Sequence, residues 1–170
     1  MKKNIVKKLV TLLLLVLFAA AGTGVWFYFR DRDKRLLREL VTELEDMSAK
    51  RQGRSKALAL LDAAAPERVF AQEVEIISDH PEIKRTMKVR EIGQLMLTMK
   101  KSCTSAELDI SIDTITVNGD TAVVTGSALF SGSSSRGGSF REARSIGFEC
   151  AKNNGRWKII RINAYSIIKK

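Results

Sequence analysis

The chain has 170 residues, 29 Lys and Arg against 19 Asp and Glu, a single His and a net charge of +10. That length suits one domain with little left over, and 45% hydrophobic content excludes wholesale disorder. One His and two Cys exclude a dense disulfide framework and most zinc sites.

The charge is unevenly placed. Residues 1–35 hold 8 basic and 2 acidic side chains, a net +6, and residues 36–170 hold 21 and 17, a net +4. Residues 1–8 form a basic tail with Lys2, Lys3, Lys7 and Lys8. Residues 9–29, Leu9 to Phe29, carry no charge. As a helix this run reaches roughly 31 Å at about 1.5 Å per residue, enough to cross hydrocarbon. Trp26, Phe27, Tyr28 and Phe29 close it as an aromatic belt would, with Arg30, Arg32, Lys34 and Arg35 beyond. The expectation is a transmembrane signal anchor over 9–29, with the lipid bilayer as its partner. A cleaved signal peptide is the alternative, because Ala19-Ala20-Ala21-Gly22 offers small residues, although the apolar run is longer than a usual signal core. The short tail favours N-in, so residues 30–170 are expected outside the cytoplasm, in the periplasm at a bacterial inner membrane.

Beyond the anchor, Leu36, Leu37, Leu40, Val41, Leu44 and Met47 recur at helical spacing and predict a helix over Arg30–Met47. Ser48–Lys56 reads as a turn. A second helical stretch runs from Ala57 to Ala65, and Pro66 suits the first turn of a short helix over Pro66–Ala71. Glu73–Ser78 alternates as a strand, broken at Asp79-His80-Pro81. Lys88–Ser102 is a helix with the stripe Val89, Ile92, Leu95, Met96 and Met99. Four strands follow: Leu108–Val117, Thr121–Ser131, Phe140–Ala151 and Arg156–Ile168. Asn118-Gly119-Asp120, the Gly/Ser run Gly132–Ser139 and Asn153-Asn154-Gly155 separate them. The apolar phase slips from Leu108, Ile110 and Ile112 to Ile115 and Val117, which predicts a bulge near Asp113. The fold class is α+β, with helices packed on a curved antiparallel sheet.

Four strings in this order resemble the nuclear transport factor 2-like superfamily, including its SnoaL-like domains. They are Val69-Phe70-Ala71-Gln72-Glu73-Val74-Glu75-Ile76, Val89-Arg90-Glu91-Ile92, Val117-Asn118-Gly119-Asp120-Thr121-Ala122-Val123-Val124 and Asn154-Gly155-Arg156-Trp157-Lys158-Ile159. Lys88 and Val89 stand where that superfamily usually has a Gly-Arg pair. The resemblance spans about Leu36 to Ile168. It implies a cone-shaped fold around a pocket, found both in ketosteroid isomerases and polyketide cyclases and in non-catalytic binding modules. A membrane anchor before such a domain is similar in architecture to type IV secretion assembly proteins and Mce-associated membrane proteins.

An isomerase or cyclase of this fold needs a general base and an oxyanion donor. The acid/base candidates are Asp79 and His80, which also suit a surface turn. Arg144, Arg161, Asn163 and Tyr165 are candidates for a polar pocket lining that would take an anionic ligand. The plainer reading has both arginines reaching water from strand ends. Trp157, Ile159, Arg161, Asn163 and Tyr165 share one parity on the last strand. Ile160, Ile162, Ala164 and Ile168 share the other and are the expected interface for a homodimer or an envelope partner. Cys103 and Cys150 fall at opposite ends of a meander, so no disulfide between them is favoured. No cofactor and no metal site are indicated. The basic clusters lack interleaved aromatics, so no nucleic acid is expected. The reading that results is a membrane-anchored, extracytoplasmic binding or assembly module. Its alternative is a small-ligand-binding or SnoaL/ketosteroid-isomerase-like enzyme.

Overall fold

The computed structural model describes residues 31–50, 65–79 and 81–166. The chain divides into two compact units, Met1–Arg35 and Leu36–Lys170. In the first, residues 31–35 are helical. The expected anchor over 9–29 and the stretch 57–64 lie outside the described residues. Among the described residues no helix is long and apolar enough to cross a membrane.

In the second unit, α1 covers residues 36–48. It buries Leu37, Leu40, Val41, Leu44 and Met47, the residues its helical spacing places on one face. Then come α2 (Ala65–Val69), β1 (Phe70–Asp79), β2 (Glu82–Lys88) and α3 (Val89–Ser102). β3 (Cys103–Asn118), β4 (Thr121–Ser134), β5 (Ser139–Asn153) and β6 (Arg156–Ser166) complete it. The six strands form one sheet in the order β2-β1-β6-β5-β4-β3.

The sheet is mixed, where an antiparallel one was expected. β1 pairs antiparallel with β2 but parallel with β6. The reason is connectivity. α3 carries the chain from β2 to the far edge, and the meander β3 to β6 then walks back to β1 in the same direction as β1. β2 is a strand that the sequence pattern does not predict, and β1 begins three residues before the predicted strand. Phe70, inside the predicted short helix, begins β1 after α2 has ended at Val69.

The turns follow from residue chemistry. Asn154 and Gly155 both take positive φ (49° and 75°), the mirror-image turn that matches strand twist. At the β3–β4 hairpin Gly119 takes φ 59°. The Gly/Ser run is shorter as a loop than expected, since β4 extends to Ser134 and β5 restarts at Ser139.

The core lies between the helices and one face of the sheet. Three cross-strand rows build it. One runs Arg85–Ile76–Ile162–Phe148–Val124–Ile115 across all six strands. Its neighbours include Met87–Val74 with Ile159–Cys150–Ala122–Val117, and Ile83–Ser78–Ala164–Ile146–Gly126–Ile112. Each fully buried Val or Ile in these rows contributes about 1.5–3 kcal/mol.

Two bulges keep the rows continuous. The β3–β4 register shifts between Ile112 and Thr114, at the position where the apolar phase slips. A second shift lies in β6, where Glu149 pairs with Arg161 but Cys150 with Ile159, leaving Ile160 as the extra residue. Gly126 sits opposite the first bulge, and a Cβ there would lie 2.1 Å from the Ser111 carbonyl oxygen.

The edge strand β3 is covered. The Lys50 amide donates to the Ala106 carbonyl (2.7 Å), and the Ile110 amide donates to Glu45 Oε1 (2.6 Å). Lys50 also sends its ammonium to the Lys100 carbonyl (2.7 Å) and the Cys103 carbonyl, where α3 leaves its last carbonyls without helical partners.

Candidate functional site

The β6 bulge decides where the candidate residues point. Past Ile160 the parity reverses, so Ile162 and Ala164 face the core with Trp157 and Ile159. The interface expected from Ile160, Ile162, Ala164 and Ile168 is therefore not one face. Ile162 packs on the core, Ala164 lies in a core-facing row, Ile160 is the bulge residue, and Ile168 lies outside the described residues. Arg161, Asn163 and Tyr165 turn instead to the outer face of the sheet. A single-sequence parity count misses this, because one inserted residue reverses every position after it.

On that outer face Arg161 bridges two carboxylates. Its Nε donates to Glu75 Oε2 and its Nη1 to Glu149 Oε1, both at 2.6 Å. Lys84 extends the line, with its ammonium 3.9 Å from Glu75. The hydrogen bonds that Arg161 donates to Glu149 and Glu75 raise its pKa above the ordinary value. The row reads Thr86–Glu75–Arg161–Glu149–Val123–Thr116, followed by Lys84–Ile77–Asn163–Gly147–Thr125–Thr114. Thr114 and Thr125 share a hydroxyl hydrogen bond of 2.6 Å. Val123 and Tyr165 are the large apolar side chains exposed here, at 44% and 46%.

Arg144 is on the other side. It pairs across β4 with Ala128, a core residue, near the strand ends. Its Nη1 meets Asp79 Oδ1 at 3.4 Å, and its Nε donates to Glu142 Oε1 at 2.8 Å. Both Asp79 oxygens accept from the Ser166 amide at 2.9 Å. So the structure brings Asp79 and Arg144 together, and separates both from Arg161, Asn163 and Tyr165. His80 lies outside the described residues.

Among the described residues, open grooves of about 250, 290 and 230 Å³ lie on the surface. They fall short of the roughly 300–1,000 Å³ of ordinary small-molecule sites. The first lies between α2 and α3 beside Pro66, Gly93 and Leu97, the second beside Arg68 and Trp157, the third along β3 at Lys50. Asp79, Arg144, Arg161, Asn163 and Tyr165 line none of them. Among the described residues no three His, Cys, Asp or Glu side chains are grouped to hold a metal ion.

Cys103 and Cys150 are both free and buried. The register sets Cys103 opposite Ser134 and Cys150 opposite Ala122, at opposite ends of β4. Burial pushes the Cys150 thiol up to about 12. Lys158 is lowered, mainly by desolvation and then by Arg156, while its ammonium donates to the Glu67 and Arg68 carbonyls at the end of α2.

No protein-family model and no curated protein matches the sequence. Solved structures do match. A protein from Kribbella flavida superposes with a TM-score of 0.65 at 12% identity, over 82% of this chain and 94% of that one. A nuclear transport factor 2-like superfamily protein from Salmonella enterica serovar Typhimurium gives 0.62 at 16%, over 81% and 92%. A putative aromatic ring hydroxylase from Novosphingobium aromaticivorans gives 0.64 at 13%, over 81% and 91%. At such identities the likeness is one of architecture, and the chain has the nuclear transport factor 2-like, cystatin-like fold: a curved mixed six-stranded sheet with helices on one face.

Proposed function

We propose that the chain is a membrane-anchored, extracytoplasmic binding or assembly module whose fold is used as a scaffold rather than as a reaction vessel. The observation that carries this reading is the filled core face. Trp157 and Phe148 are buried in the core cluster on the helix-covered face, and Met96 packs against that cluster. The described polar candidates are either turned outward or held in ion pairs at the strand ends. Asp79 as a general base would have to leave the Ser166 amide and Arg144 first.

The outer sheet face is the partner surface in this reading. It offers Val123, Tyr165 and Ile77 around the Glu75–Arg161–Glu149 line, apolar contact area with directional charge. The alternative is a small-ligand binder or SnoaL-like enzyme. The neighbour described as a putative aromatic ring hydroxylase supports it by fold likeness alone.

Two measurements test the proposal. An alkaline phosphatase fused after Lys170 should be active in the periplasm, and an inactive fusion would reverse the topology. A photo-crosslinking residue at Val123 or Tyr165 should trap a protein adduct of defined mass in cells. If both positions trap nothing, and apolar small molecules instead shift the NMR signals of Ile146 and Ile162, the enzyme reading takes its place.

A further inference from the structure

The sheet has two edges, and they are treated differently. β3 is covered by Glu45 and Lys50, as described above. β2 ends the strand order on the other side, and among the described residues no strand pairs with its far edge. Glu82 to Thr86 and Lys88 are exposed, and Met87 is buried. A row of unpaired amides and carbonyls is a template for another strand.

The side chains of β2 say what kind of strand would fit. Lys84, Arg85 and Lys88 against Glu82 give the seven residues a net charge of +2. Lysines on an edge are a common device against unwanted pairing. They would leave a polar edge, yet here the core-facing row Ile146–Ala164–Ser78–Ile83 ends at the rim on an apolar side chain, with Ile83 exposed at 39%. The next position in that row is where an incoming apolar side chain would be covered. A second copy of β2 is a poor occupant. Antiparallel pairing centred on Arg85 would set it against its own copy, and two strands of +2 would meet.

We infer that the outer edge of β2, unpaired among the described residues, takes up an extended, acidic segment of a partner protein, which adds as a further strand. Main-chain hydrogen bonds supply the affinity. An apolar side chain beside Ile83 and acidic ones beside Lys84 and Arg85 supply the selection. This inference rests on the binding-module reading and names the partner's chemistry at a surface other than the outer sheet face.

The test uses the full chain in detergent and an acetylated, amidated eight-residue peptide with a central Val-Glu-Glu-Val, which sets Val beside Ile83 and Glu beside Lys84 and Arg85 in either strand direction, read by fluorescence anisotropy and amide hydrogen exchange. Saturable binding is expected, with exchange slowed over residues 82–88. Replacing Glu by Lys in the peptide should abolish it. So should N-methylation of every peptide amide, which keeps the charge and removes the donors. The double variant K84E/R85E should bind about tenfold more weakly or worse. If its far-UV circular dichroism shows that it has not folded, Lys84→Gln with Arg85→Gln replaces it, and a severalfold loss is expected. Absence of binding, equal binding of the N-methylated peptide, or unchanged binding by a folded variant overturns the inference. So does a concentration-dependent dimer that protects 82–88, which would give the edge to a second copy. A chain that still cross-links through Val123 or Tyr165 but ignores the peptide would remove the edge inference and leave the module reading standing.

Discussion

The same strands carry two very different faces. On the core side, residues from all six strands line up in apolar rows, and Val74, Val124, Cys150 and Ile159 lose nearly all contact with water. On the opposite face, Glu75, Val123, Glu149 and Arg161 form a ladder of charge and partial exposure. The alternation is the pleat itself. What the contrast teaches is how little protects it. Each bulge shifts the pairing by one residue, and without the shift in β6 Arg161 would point into the core and Ile162 to water.

Adjacent positions on one strand therefore test the contrast most directly. Phe148→Ala should cost about 3–5 kcal/mol in urea unfolding, because it empties the centre of a six-strand row. A loss below about 1 kcal/mol would mean the row is loosely packed. Gly126→Val should cost about 2 kcal/mol or more, since the new Cβ meets the Ser111 backbone oxygen, which cannot move without undoing the bulge. An unchanged melting temperature would show that the approach is not close.

Cys150 gives the core side a pH signature. Its thiol is raised from 9.0 to about 12 by burial, so the folded state holds a proton that the unfolded state releases. Its contribution is complete below pH 9 and lost between about 9 and 12, at up to about 1.4 kcal/mol per pH unit. The Cys150→Ala variant should lack that part of the alkaline slope; identical slopes would place the thiol in contact with water. Smallest of all, Glu149→Ala should cost under about 1 kcal/mol, since the Glu149–Arg161 pair is part-exposed and Arg161 keeps Glu75. A loss to match Phe148→Ala would make the outer face structural.

Much of this was legible beforehand. The apolar spacing of α1, the Asn-Gly turns and the slip at Asp113 are local patterns, and the structure follows them. β2 was not legible. As an edge strand with six of its seven residues exposed, it shows no alternation to read. Leu95 was assigned to the buried stripe of α3 by spacing, but it is 59% exposed because the sheet covers a narrower face of that helix. The candidate lining failed to assemble for a different reason. Arg144 and Arg161 lie on neighbouring strands, and only the bulge at Ile160 puts them on opposite faces.

The sequence by itself determined the class of fold, the order of the helices and meander, and the turns, because each depends on residues within a few positions of one another. Tertiary structure alone decided two things: the parallel seat of β6 beside β1 and the face each arginine takes. The first depends on pairing between residues far apart in the chain, such as Glu75 with Arg161, and the second on one inserted residue in the β5–β6 pairing, and the apolar pattern of the sequence records neither.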